Sequence, residues 1–96
     1  STSSIVLIEP EAGRIIKWGA TVTFRWRWDG KLKEGEYLEL RINNRWYETV
    51  SRPGANQIQV KLDRLDVGEH DWSIALMSDT DRWPIQQSEK RPFTIN

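Results

Sequence analysis

With 96 residues, 14 basic and 14 acidic side chains and a formal net charge of zero, the chain has room for one modest hydrophobic core and no block of like charge of the kind that binds nucleic acid. It contains no cysteine, which excludes disulfides, thiolate metal sites and thiol nucleophiles and suits a cytoplasmic or a bacterial extracellular setting alike. No apolar run approaches the ~20 residues that cross a bilayer and no signal peptide is visible, so no direct membrane insertion is expected.

Residues 1–4 are small and polar and read as a linker end or expression remnant, leaving residues 5–96 as a single domain. Ile5 to Ile8 is a short β-branched run stopped by Glu9-Pro10; because proline cannot donate to a ladder, a short edge strand is expected there. Gly13 permits a turn, and Arg14 to Lys17 re-enters as a second short edge strand. From Thr21 to Trp28 the pattern is strictly period two: Val22, Phe24, Trp26 and Trp28 are large and apolar, while Thr21, Thr23, Arg25 and Arg27 are polar. Successive side chains of a strand point to opposite faces, so this stretch is a half-buried strand whose aromatic face needs a second sheet opposite it.

Asp29-Gly30 signals a turn, and the charged run Lys31 to Glu36 a surface loop. Tyr37 to Ile42 alternates again, with Leu38, Leu40 and Ile42 inward and Tyr37, Glu39 and Arg41 outward. Asn43-Asn44 suits a two-residue hairpin turn that needs positive φ at both positions, with Arg45 to Val50 returning antiparallel. That turn pairs Ile42 with Arg45, Arg41 with Trp46 and Leu40 with Tyr47. On the outer face it aligns Tyr37, Glu39 and Arg41 with Val50, Glu48 and Trp46. After the turn residues Pro53-Gly54, Gln57 to Leu62 places Ile58, Val60 and Leu62 inward. A turn at Gly68 leads into a strand with His70, Trp72, Ile74 and Leu76 on one side. Ser78 to Lys90 is polar and irregular, with Trp83-Pro84 in its middle. Arg91 to Ile95 closes the chain as a strand with Phe93 and Ile95 inward, where Pro92 calls for an edge position.

Short strands separated by turns, with no stretch of 3.6-residue periodicity, predict an all-β, antiparallel, seven-stranded β-sandwich, with a barrel as the alternative. The order Pro10-x-x-Gly13, Thr23-Phe24-x-Trp26, the alternating Tyr37 to Ile42, Leu65-x-x-Gly68-x-His70-x-Trp72-x-Ile74 and Phe93-Thr94-Ile95 resembles bacterial fibronectin type III-like, immunoglobulin-related modules over nearly the whole chain. The resemblance implies a non-catalytic accessory module, a spacer or protein-interaction domain of a larger bacterial surface or envelope-associated protein, with neighbouring domains as its partners. Such modules often carry tyrosine where His70 stands, its hydroxyl tying the strand to the preceding turn; a neutral imidazole can donate a similar bond.

No catalytic residue, metal site or cofactor is expected. His70 is the lone histidine, at an inward parity where a structural hydrogen bond is the ordinary role. Asp79 and Asp81, with Asp66, Glu69 and Asp71 nearby in sequence, lack the regular spacing of a calcium loop. Nucleophile-elbow, zinc-protease and phosphate-loop motifs are missing. Of the six tryptophans, Trp26, Trp28 and Trp72 share parity with apolar neighbours and belong to the core, whereas Trp18, Trp46 and Trp83 lie in or beside loops. The candidate binding residues are Tyr37, Arg41, Trp46 and Trp83, with Trp46 stacked against Arg41 on the outer face. They fit a protein partner or a polysaccharide, so the alternatives to the accessory module are a carbohydrate- or cell-wall-binding module and the sensor ectodomain of a membrane-anchored signalling protein.

Overall fold

The computed structural model describes residues 4–96, so all but Ser4 of the linker expected over residues 1–4 lies outside the described residues. The chain is all-β and forms two facing sheets. One holds β1 (Val6–Glu9), β3 (Thr21–Arg27) and β6 (Gln57–Lys61) in the order β1-β3-β6. The other holds β2 (Arg14–Ile16), β9 (Arg91–Ile95), β7 (Gly68–Ser78), β4 (Glu36–Ile42) and β5 (Arg45–Thr49) in the order β2-β9-β7-β4-β5, with β8 (Gln86–Gln87) also on β7. Two of the nine segments are continuations. β1 and β2 are one strand that changes sheet at Pro10 to Gly13, and β8 and β9 together run along one edge of β7. Counted that way, the sandwich has the seven strands expected.

The core follows the period-two patterns. Phe24 and Trp26 on β3 are 0% and 1% exposed, and they face Leu40, Trp72, Ile74, Phe93 and Ile95, all at 1% or less. Phe24 meets Trp72 edge to face, with ring centroids 4.9 Å apart and planes inclined by 70°. Trp28 is only partly buried and packs against the margin of this core, beneath which Gly30 leaves no room for a Cβ beside its ring.

The first sheet change is held by one side chain. At the start of β9, the Arg91 guanidinium donates to the carbonyls of Leu7, Ile8 and Pro10 at 3.1, 3.0 and 3.1 Å. β2 then lies parallel to β9, Ile16 opposite Ile95. Consequently β9 is an interior strand, not the edge strand that Pro92 suggested. Pro92 is accommodated because it stands at the strand's first turn of pairing, opposite Asp71 and beyond the end of β2, where its carbonyl accepts from Gly13 N–H at 2.8 Å.

The hairpin turn is as expected, with φ of 56° at Asn43 and 64° at Asn44. Its register is not. Ile42 faces Arg45 and Arg41 faces Trp46, but an extra residue is accommodated next, so that Leu40 faces Glu48 and Glu39 faces Thr49. Tyr47 points into the sandwich as expected, 5% exposed with its hydroxyl donating to Lys61 O at 2.9 Å, and the bulge reverses the residues that follow it. Val50, expected outside, is buried with its N–H on Leu38 O.

His70 does take the tyrosine-like role. The Asn43 side-chain oxygen accepts from Asp71 N–H at 3.2 Å, so its amide nitrogen is the group facing His70 Nδ1 at 2.9 Å, and that ring nitrogen accepts. Nε2 therefore carries the proton and donates to Asp66 O at 2.7 Å, tying β7 to the preceding turn. The ring lies against Phe93.

These placements set two stability expectations. Trp72→Ala costs about 3–5 kcal/mol through the cavity it opens, and Trp46→Ala less than about 1.5 kcal/mol, both read from urea unfolding; equal losses would mean that Trp46 is packed inside. His70→Phe keeps the ring on Phe93 and removes both hydrogen bonds, so it lowers stability by about 1–2 kcal/mol. An unchanged midpoint would show that the corner bond contributes nothing.

Candidate functional site

The four residues singled out from the sequence do not form one surface. Arg41 and Trp46 are cross-strand neighbours at the hairpin end of β4, while Tyr37 stands near its other end. Trp83 lies on the loop that leaves β7 beside Gly35, where Asp79 N–H donates to Gly35 O. The length of β4 therefore separates Trp83 from Trp46, roughly 20 Å at the rise of an extended chain.

The outer face of β4 is not the open polar strip expected. Glu39 is 3% exposed and holds Arg41 in an ion pair at 2.6 Å, while the other arm of that guanidinium donates to Asn44 O at 2.7 Å. Next to them, Gln87 on β8 donates to Ser73 Oγ at 3.0 Å and to Asn44 Oδ1 at 3.2 Å. Ser73, Ala75 and Met77, the outward-facing residues of β7, are buried. The segment read as irregular thus contributes a short strand that borders this face, and Arg41 is committed to structure. Tyr37 is partly buried.

Trp46 is open, at 53% exposure, but its cationic neighbour is Arg64 and not Arg41. The Arg64 guanidinium lies 4.0 Å from the Tyr47 ring centre and 5.7 Å from that of Trp46, donates to Tyr47 O at 2.8 Å and sits 3.5 Å from Glu48. Arg64, on the β6–β7 connection, stacks on the Tyr47 ring and so stands beside Trp46, while Arg41 is drawn away to Glu39 and Asn44. The Trp46 indole N–H donates to Thr49 Oγ1 at 2.9 Å, which fixes the ring with Arg64 over it.

Trp83 is 79% exposed, with Ile85 at 50% on the same loop. Trp18 is 52% exposed, its indole N–H on Leu65 O. At the Trp28 end of the sandwich, an apolar cleft of about 310 Å³ lies between Trp28, Leu32, Leu38 and Pro53. Among the described residues no group of three or more His, Asp or Glu side chains converges closely enough to hold a metal ion, and no helix is long and apolar enough to cross a membrane. Arg64 escaped the sequence reading because it follows a strand with no motif around it, and only its stacking on Tyr47 in the folded chain gives it a role.

No family model matches the chain, and no curated protein sequence does. Solved structures do. The fibronectin(III)-like modules of Clostridium thermocellum CbhA superpose with a TM-score of 0.69 over 95% of this chain and 93% of theirs, at 13% identity. The endo-beta-1,4-mannanase from Thermotoga petrophila matches with a TM-score of 0.66 over all of this chain, at 15% identity, and the chain spans 20% of its length. The fold of this protein is the fibronectin type III-like β-sandwich.

Proposed function

We propose that this domain is a non-catalytic accessory module of a larger bacterial protein at the cell surface or outside the cell, spacing or joining neighbouring domains and contacting protein. The observation that carries the reading is the pair of structural matches: nearly all of a fibronectin(III)-like module in one case, one fifth of a mannanase in the other. A domain that superposes on a minor part of an enzyme fits an accessory place in a longer chain. The lone histidine has both ring nitrogens engaged in structure, with Asn43 and with Asp66 O. Incubated with mannan, glucan and xylan, the domain releases no reducing ends above a protein-free blank; a rate that co-purifies with the domain through two orthogonal columns would overturn the reading.

A second reading, contact with polysaccharide, is favoured by Trp46 and Trp83, which are 53% and 79% exposed. Exposed indoles add nothing to the core and are the side chains most often found at contact surfaces. The sensor-ectodomain alternative has no comparable observation behind it. Of the four candidates, Trp46 and Trp83 have open rings, Tyr37 is partly covered, and Arg41 is engaged in its ion pair. Iodide quenching of tryptophan fluorescence gives the first check: Trp18, Trp46 and Trp83 are accessible and Trp26 and Trp72 shielded, so the quenching curve is biphasic. A set shielded throughout would leave no indole for a sugar to stack on.

A further inference from the structure

We infer that the cleft beside Trp46, between the β4–β5 turn and the β6–β7 connection, is a binding site for a neutral glycan. The inference rests on the polysaccharide reading above and gives that reading a place and a ligand class different from the outer strip of β4. The cleft has a volume of about 480 Å³ and is lined by Asn43, Arg45, Trp46, Arg64, Asp66 and His70, among others. That volume lies within the range of small-molecule sites, about 300–1,000 Å³.

Its lining divides into groups already committed and groups still available. Asn43 and His70 have bonded one another and the backbone at Asp71 and Asp66, so they form a rigid floor. Arg64 is held by Tyr47 O and by the Tyr47 ring, which use part of its five-donor fork. Arg45 makes no side-chain hydrogen bond or ion pair among the described residues. Trp46 has its indole N–H on Thr49, so the ring is oriented, with Arg64 at 5.7 Å over it and 53% of the residue open to solvent.

A fixed, half-exposed aromatic face flanked by two guanidiniums and a carboxylate matches the two sides of a pyranose. The ring's electron-rich face meets the partly positive C–H side of the sugar. The planar forks of Arg45 and Arg64 donate to hydroxyl oxygens, and the Asp66 carboxylate accepts hydroxyl protons. Because Thr49 and Tyr47 already hold Trp46 and Arg64, little side-chain freedom is lost on binding.

Charge selects a neutral sugar over an acidic one. Arg45 and Arg64 are balanced by Asp66 on the cleft wall and by Glu48, 3.5 Å from Arg64. The cleft has no net positive charge with which to hold a carboxylate or sulfate, and an acidic ligand would stand against Asp66.

The test is an NMR titration of the 96-residue domain with mannohexaose, cellohexaose and trigalacturonate, following the six indole N–H signals, with Trp46 assigned by Trp46→Phe. A neutral hexaose shifts the Trp46 signal. Trp46→Ala weakens binding by about tenfold or more, as for an aromatic anchor at the centre of a contact, Arg45→Gln weakens it severalfold, and Trp83→Ala leaves it unchanged. Arg45 is exposed and unpaired, so Arg45→Gln keeps the fold and remains decisive if Trp46→Ala is unstable. Binding abolished by Trp83→Ala and untouched by both cleft variants would overturn the cleft while leaving the polysaccharide reading intact. Trigalacturonate bound about tenfold more tightly than either neutral hexaose would overturn the ligand class. No shift with any of the three would remove the site and the polysaccharide reading together.

Discussion

Edge-to-face contact between Phe24 and Trp72 joins the two central strands of the molecule, β3 with a neighbour on each side and β7 at the middle of the larger sheet. Both rings are fully buried. Neither sheet could bury its apolar face alone, and a contact between central strands sets the sheet spacing for everything around it, including Trp26, Leu40, Ile74 and Phe93. The Trp72 indole N–H finds no hydrogen-bond acceptor. An unsatisfied buried donor costs about 1–3 kcal/mol, comparable to what burying a large side chain contributes, about 1.5–3 kcal/mol. The position is held for the shape of the indole and not for its polarity.

This explains which parts of the fold could be read from the residues. The inward sets on β3, β4 and β7 follow from strict alternation, and the two asparagines at the hairpin adopt the positive φ that few other residues tolerate. The bond of His70 to the preceding turn was legible through the resemblance to modules that often carry tyrosine there, but its second bond, to Asn43 of the hairpin turn, was not. What alternation could not supply was the bulge. The shift places Glu48 opposite Leu40 while Tyr47 keeps its inward direction, its hydroxyl on Lys61 O, and it turns Val50 inward with its N–H on Leu38 O. The same holds for β8, whose two residues pair with Ala75 and Leu76 without any pattern of their own.

The candidate site fared less well for the same reason. Trp46 and Trp83 were rightly separated from the core tryptophans by their place beside loops. Their side-chain partners depended on neighbouring chain segments, so Arg41, although opposite Trp46 in the ladder, bonds Glu39 and Asn44 in place of stacking on the ring. Binding surfaces in a sandwich lie at edges and ends, where register errors of one residue change every neighbour. A core tolerates such an error in description far better than a site does.

The Arg91 clasp concerns how the domain behaves under tension. β2 and β9 run parallel, and Trp18 N–H donates to Asn96 O while Asn96 N–H donates to Ile16 O at 2.9 Å each. Pulling the two chain ends apart drags these parallel strands in opposite directions along their length, so their bonds are loaded in shear and break together, not one by one as in peeling. Arg91 adds three bonds from β9 to Leu7, Ile8 and Pro10, ahead of β2 in the line of force. A pull on the ends therefore meets the guanidinium, together with the β1–β3 pairs, before it reaches the β2–β9 ladder, and one side chain shares that load with backbone bonds.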